Sequence, residues 1–208
     1  MNKTLLAAEF TFIFVFPPLL VVTGLLPKEG IMPMLWVISL YAYLFLRSSK
    51  IKVLAIDFDK KALYIVIKRF LVVSMAMTLF ILLYMPEQFL TLPKNRPWFW
   101  LTVMLFYPIL SAFTQEVLFR SFFFHRYKKF FKKRLLLFVI VNALTFAYVH
   151  IVFGNWIAVT LTFFGGLLFA QTYLKSRSTL LTAIEHSLYG NTLYTLGLGH
   201  YFYHGANI

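Results

Sequence analysis

The stretch 135–152, LLLFVIVNALTFAYVHIV, decides the fold. It runs 18 residues without an acid, a lysine or an arginine. A helix needs about 17–25 predominantly apolar residues to cross a bilayer. Directly before it stand Lys132, Lys133 and Arg134, a basic turn suited to a membrane surface. Working outward, six more stretches are predominantly apolar: about Glu9–Leu26, Ile31–Leu46, Leu63–Tyr84, Trp98–Phe124, Trp156–Leu174 and Thr179–Leu198. The sequence therefore reads as an all-α, polytopic integral membrane bundle of about seven transmembrane helices.

Composition agrees. Of 208 residues, 61% are hydrophobic and 13% charged, against about 45–50% and 25% in soluble domains. In water such a chain would expose large apolar patches and aggregate. The first stretch has only Lys3 as a basic flank and no small-x-small cleavage site after it. It is expected to be a retained helix, kinked at Pro17-Pro18, and not a signal peptide. The polar stretch Arg47–Lys61, with Asp57 and Asp59, is expected outside the hydrocarbon. The absence of cysteine excludes disulfides, thiolate metal sites and thiol nucleophiles.

The net charge of +13 comes from 20 basic and 7 acidic residues. With loops assigned alternately to two sides, 16 of the 20 fall on one side, among them Lys3, Lys68, Arg69, Arg126 and the turn 132–134. The other side receives 3, namely Lys28, Lys94 and Arg96, and Arg120 lies inside a span. That asymmetry is the positive-inside pattern, so the basic excess reflects membrane topology and no nucleic-acid partner is expected. The amino terminus is expected in the cytoplasm, the carboxyl terminus outside, and the location is expected to be a bacterial inner membrane. Trp36, Trp98, Trp100 and Trp156 near span ends suit aromatic belts.

Ionisable groups inside spans are costly and are functional candidates by default. They fall in three places in the second half: Gln115-Glu116 with Arg120, His150, and Glu185-His186 with Asn191. Glu116 and Arg120 are four apart with the acid first, the favourable order for an ion pair on one helix face. Taken singly, each group has a bland reading: a self-neutralising pair that lets the helix insert, or histidines used in packing. Taken together they can be levelled. Gln115 lies 17 residues before Lys132 and His150 17 after Lys133. Gln115 is then about 16 Å deep from Arg126, and His186 about 13 Å from Arg177, at 1.5 Å per residue. One site in the cytoplasmic half of the membrane is expected.

At these residues the chain resembles the CPBP family, the CAAX proteases and bacteriocin-processing proteins also called Abi, which are intramembrane proteases. The family pattern has two glutamates with an arginine four after the second, then Phe-x-x-x-His, then His-x-x-x-Asn or Asp. Here it reads Gln115-Glu116 to Arg120, Phe146 to His150, and His186 onward. The likeness spans roughly Phe106 to Leu198, so residues 1–97 read as N-terminal transmembrane helices and 98–208 as the catalytic-type core.

The resemblance implies that the first glutamate and the second-motif histidine activate a water. It also implies that the third-motif histidine and asparagine polarise the scissile carbonyl. The candidate residues are thus Glu116 as base or water ligand, His150 as its partner, His186 and Asn191 as carbonyl and oxyanion donors and Arg120 as brace, with Gln115 in the first-glutamate position. A zinc ion on Glu116, His150 and His186 is the alternative cofactor reading. Two departures stand out: Gln115, since an amide accepts no proton as a base, and Gly190, where asparagine is expected. His125 is expected at the cytoplasmic edge, and His200 and His204 as interfacial anchors. The leading function is an intramembrane endopeptidase acting on a membrane-associated peptide or protein. Behind it stand a catalytically silent relative that binds a peptide or lipid or scaffolds a partner, and a small proton-coupled transporter.

Overall fold

The computed structural model describes residues 2–54 and 59–202. Asp57 and His204 lie outside the described residues. The described chain is helical with no strand. Its long helices are α1 (Lys3–Val22), α2 (Lys28–Ser48), α3 (Lys60–Tyr84), α4 (Pro97–Arg126), α5 (Leu135–Phe153) and α6 (Trp156–Ser176), followed by α7 (Thr179–Leu196). The first six are long and apolar enough to cross a membrane. At 18 residues α7 is also long enough, but Glu185, His186 and Asn191 dilute its apolar character. The packing explains how it tolerates them: α7 lies against α3, α4 and α6, with Glu185, His186, Tyr189 and Gly190 all buried.

Local chemistry starts and stops these helices. Asp59, Asn155 and Ser178 cap α3, α6 and α7, each side-chain oxygen accepting from a first-turn backbone N–H. Helix α7 ends at Gly197, whose φ of +100° is open to glycine. A Cβ there would also lie 1.8 Å from the Gln88 carbonyl oxygen. In α1 the pair Pro17-Pro18 does not end the helix. A π turn at Thr11–Val15 precedes the prolines and absorbs their missing N–H groups.

Large apolar side chains such as Phe12, Val37, Leu71, Leu83 and Leu136 face outward, as lipid requires. Trp98 and Trp156 are exposed at helix starts. Trp36 and Trp100 instead spend their indole N–H on the Leu110 carbonyl (2.8 Å) and the Thr195 hydroxyl (2.9 Å), joining helices. At one end Arg126 grips Glu9 through two hydrogen bonds of 2.7 and 2.6 Å. Tyr127 and Tyr41 donate to the same carboxylate at 3.1 and 3.2 Å. This cluster ties α1, α2 and the end of α4 together.

Candidate intramembrane active site

The site begins with irregularity in α4. Two π stretches, Pro108–Phe113 and Val117–Phe122, flank the short turn Thr114–Glu116. Such bulges are frequent at functional sites because they re-aim side chains within a helix. Proline at 108 also has no N–H to offer Met104, four residues back. The freed Met104 carbonyl accepts from Asn191 Nδ2 at 3.3 Å. Asn191 therefore joins α7 to α4 and is not among the residues that line the cavity with the histidines.

Glu116 and Arg120 are both 0% exposed. Arg120 Nε lies 3.2 Å from Glu116 Oε2. Its Nη1 donates to Asn142 Oδ1 at 3.1 Å, while Asn142 Nδ2 donates to the Phe119 carbonyl at 2.7 Å. The guanidinium rests over the rings of Phe146 and Phe169, 4.8 and 5.6 Å from their centroids. The other Glu116 oxygen, Oε1, accepts from His186 Nδ1 at 2.8 Å. A buried carboxylate thus holds an arginine on one side and an imidazole on the other.

His150 closes α5, where the α-helix tightens into a 3₁₀ turn. Its Nδ1 stands 2.6 Å from the Phe146 carbonyl oxygen and donates to it. Both histidines therefore carry their proton on Nδ1, leaving Nε2 as an acceptor. The Phe146 ring stands edge-on to both, at 4.7 Å from His150 and 5.7 Å from His186, and Phe169 stacks on His186 at 4.6 Å. Gln115 Nε2 donates to Ser111 Oγ at 2.8 Å, and its buried Oε1 has no hydrogen-bond partner.

A cavity of about 650 Å³ opens on this cluster. Gln115, His150, His186 and Tyr107 line it, whereas Glu116 and Arg120 lie behind its wall. Ile13, Met32, Leu35 and Val73 bring α1, α2 and α3 into the same wall, which is mostly apolar.

A model of the type II CAAX prenyl endopeptidase Rce1-like family matches residues 97–191. This segment belongs to the CPBP family. Comparison with curated proteins and with solved structures gives no match. The CPBP segment runs from the first residue of α4 to Asn191, so it contains all three motifs. With six helices long and apolar enough to cross a membrane, the chain is an integral membrane protein that carries a segment of the intramembrane-protease type.

Within the CPBP segment, Glu185 points away from the cavity cluster and pairs with Arg69 of α3. Arg69 also bonds Thr172, and Gln171 Oε1 at 2.8 Å. Charge counting along the sequence treats Arg69 as surface charge. Its position inside the apolar stretch 63–84 was the available sign of a partner. Asn142, the one amide in the stretch 135–152, was a similar sign. His125 packs beside Phe45, and His200 bonds the Gly197 carbonyl at 2.8 Å, so neither joins the cluster.

The CPBP site does not suit zinc in this arrangement. Glu116, His150 and His186 form no metal-binding group, and no set of three such ligands gathers among the described residues. Both Glu116 oxygens already face cationic or N–H groups.

Proposed function

We propose that the chain is an intramembrane endopeptidase in which Glu116 acts through His186 to activate water. The observation that carries this reading is the hydrogen bond from His186 Nδ1 to the buried Glu116 carboxylate. A carboxylate on Nδ1 fixes the tautomer, turns Nε2 into the basic nitrogen and stabilises the imidazolium formed when Nε2 takes a proton. Arg120 stands against the other Glu116 oxygen, 3.2 Å away, and holds the carboxylate in place. His150 Nε2 is a further acceptor at the same cavity, suited to holding the water.

The reaction runs in two steps. His186 Nε2 removes a proton from water, the oxygen adds to the scissile carbonyl carbon, and the carbonyl electron pair moves onto its oxygen. The imidazolium then gives the proton to the amide nitrogen as the C–N bond breaks, releasing an amine and a carboxylic acid. The substrate is a membrane-associated peptide or protein entering a largely apolar cavity in the cytoplasmic half of the bilayer. The amino terminus faces the cytoplasm.

A positioned general base contributes about 10²–10⁴-fold. The test uses the full chain in detergent with quenched peptides, comparing wild type with His186→Ala and His150→Ala. Cleavage reduced by that factor in His186→Ala, and less in His150→Ala, is expected. Undiminished cleavage in His186→Ala would sink the assignment.

One observation favours the second reading, a silent relative that binds peptide or lipid: the amide of Gln115 faces the cavity where a carboxylate would be expected. That reading gains if wild type binds peptides, cleaves none, and binds them equally well as His186→Ala.

A further inference from the structure

The position four after His186 is Gly190, and it is not vacant space. A Cβ built there would lie 2.2 Å from Tyr107 Cε1, 2.4 Å from Cζ and 2.4 Å from the phenol oxygen. No side chain at 190 can coexist with that ring, so glycine is required by the close approach of Tyr107. The phenol oxygen stands about as far from that Cβ position as an asparagine holds its own amide atoms, two bonds out. The tyrosine of α4 therefore fills the volume that an amide from α7 would occupy.

We infer that the Tyr107 hydroxyl supplies the carbonyl-polarising donor that asparagine supplies in the family pattern. Three further observations support the assignment. Tyr107 lines the same cavity as Gln115, His150 and His186. Its ring meets His186 edge-on at 6.0 Å, placing it beside the proposed base. It also directly precedes the π stretch Pro108–Phe113, where the helix is distorted. Asn191 is not among the residues lining that cavity, and its amide donates to the Met104 carbonyl instead. A phenol is an O–H donor that stays neutral near pH 7. As hydroxide adds to the carbonyl carbon, the Tyr107 O–H donates to the oxygen that gains the electron pair and keeps its proton. In a water-poor cavity such a donor acts on developing charge with little screening.

The inference rests on the peptidase reading, and the experiment separates the two. Full-length wild type, Tyr107→Phe, His186→Ala, Tyr107→Ala and the double variant Tyr107→Ala/Gly190→Asn are assayed for kcat and KM on one cleaved peptide. Tyr107→Phe keeps the ring and its packing, so a kcat lower by about 10²–10³-fold with unchanged KM is expected, the range seen on losing one oxyanion donor. The double variant is expected to recover cleavage over Tyr107→Ala, since the amide then has room. Wild-type kcat in Tyr107→Phe, beside a dead His186→Ala, would overturn the role of Tyr107 alone. A wild type that cleaves no peptide would overturn both readings together.

Discussion

Replacing Glu116 with glutamine tests the centre of the site, because it removes one charge and almost no volume. Arg120 would then be 0% exposed with no counter-charge of its own, as the nearby Glu185 is committed to Arg69. Its remaining support is Asn142, the Phe119 carbonyl and two aromatic faces. Removing one partner of a buried pair costs about 3–5 kcal/mol. At about 2–4 °C per kcal/mol for a chain of this size, Tm is expected to fall by roughly 6–20 °C. The assay is thermal unfolding in detergent, followed by tryptophan fluorescence. Removing the stranded charge as well, in Glu116→Gln/Arg120→Met, is expected to raise Tm above that of Glu116→Gln. A single variant melting with wild type, or a double variant melting below Glu116→Gln, would refute the argument that Arg120 depends on this carboxylate. Glutamine can still accept from His186 Nδ1, so the imidazole keeps its tautomer while losing the charge that stabilises its protonated form. Peptide cleavage by the folded single variant is expected to fall by about 10²–10⁴-fold, the worth of a general base.

Gln115→Glu places a carboxylate at the cavity and is expected to raise kcat; an unchanged kcat would mean that Gln115 does not touch the reacting water. Arg69→Met strands Glu185 and is expected to lower Tm by a similar 6–20 °C on the same scaling, whereas Arg69→Met/Glu185→Leu recovers most of it; equal melting of the two would show that the pair is not coupled. Because the chain has no cysteine, single cysteines at Lys50 and Lys94 report orientation cleanly. Labelling of Lys94→Cys but not Lys50→Cys by an impermeant maleimide on intact cells is expected, and the reverse would invert the topology. Cleavage is expected to be unaffected by a chelator, and loss restored by added zinc would show that the ligands rearrange around a metal.

The sequence disclosed what repeats and what is local. Long apolar stretches announce a membrane bundle, and the four-residue spacing of Glu116 and Arg120 announces an ion pair on one face. Contacts across the bundle were harder to read. Nothing in the spacing of Arg69 and Glu185 ties residues 116 apart, so an intramembrane arginine read as loop charge. The exchange between Tyr107 and Gly190 was equally hidden, since a missing asparagine is visible in one dimension but the ring that fills its place is not. Helix α7 shows the limit of hydropathy as a guide. It falls outside the six helices apolar enough to cross a membrane, yet its polar residues are tolerated because neighbouring helices surround it.

The cavity wall has two origins. The groups that meet at its floor all come from the segment 97–191, while Ile13, Met32, Leu35 and Val73 come from helices that precede it. Reactive floor and fitted wall are thus written in separate stretches of the gene. On the proposed peptidase reading, point changes in the first three helices are expected to alter which peptide is cleaved while leaving Glu116, His150 and His186 in place.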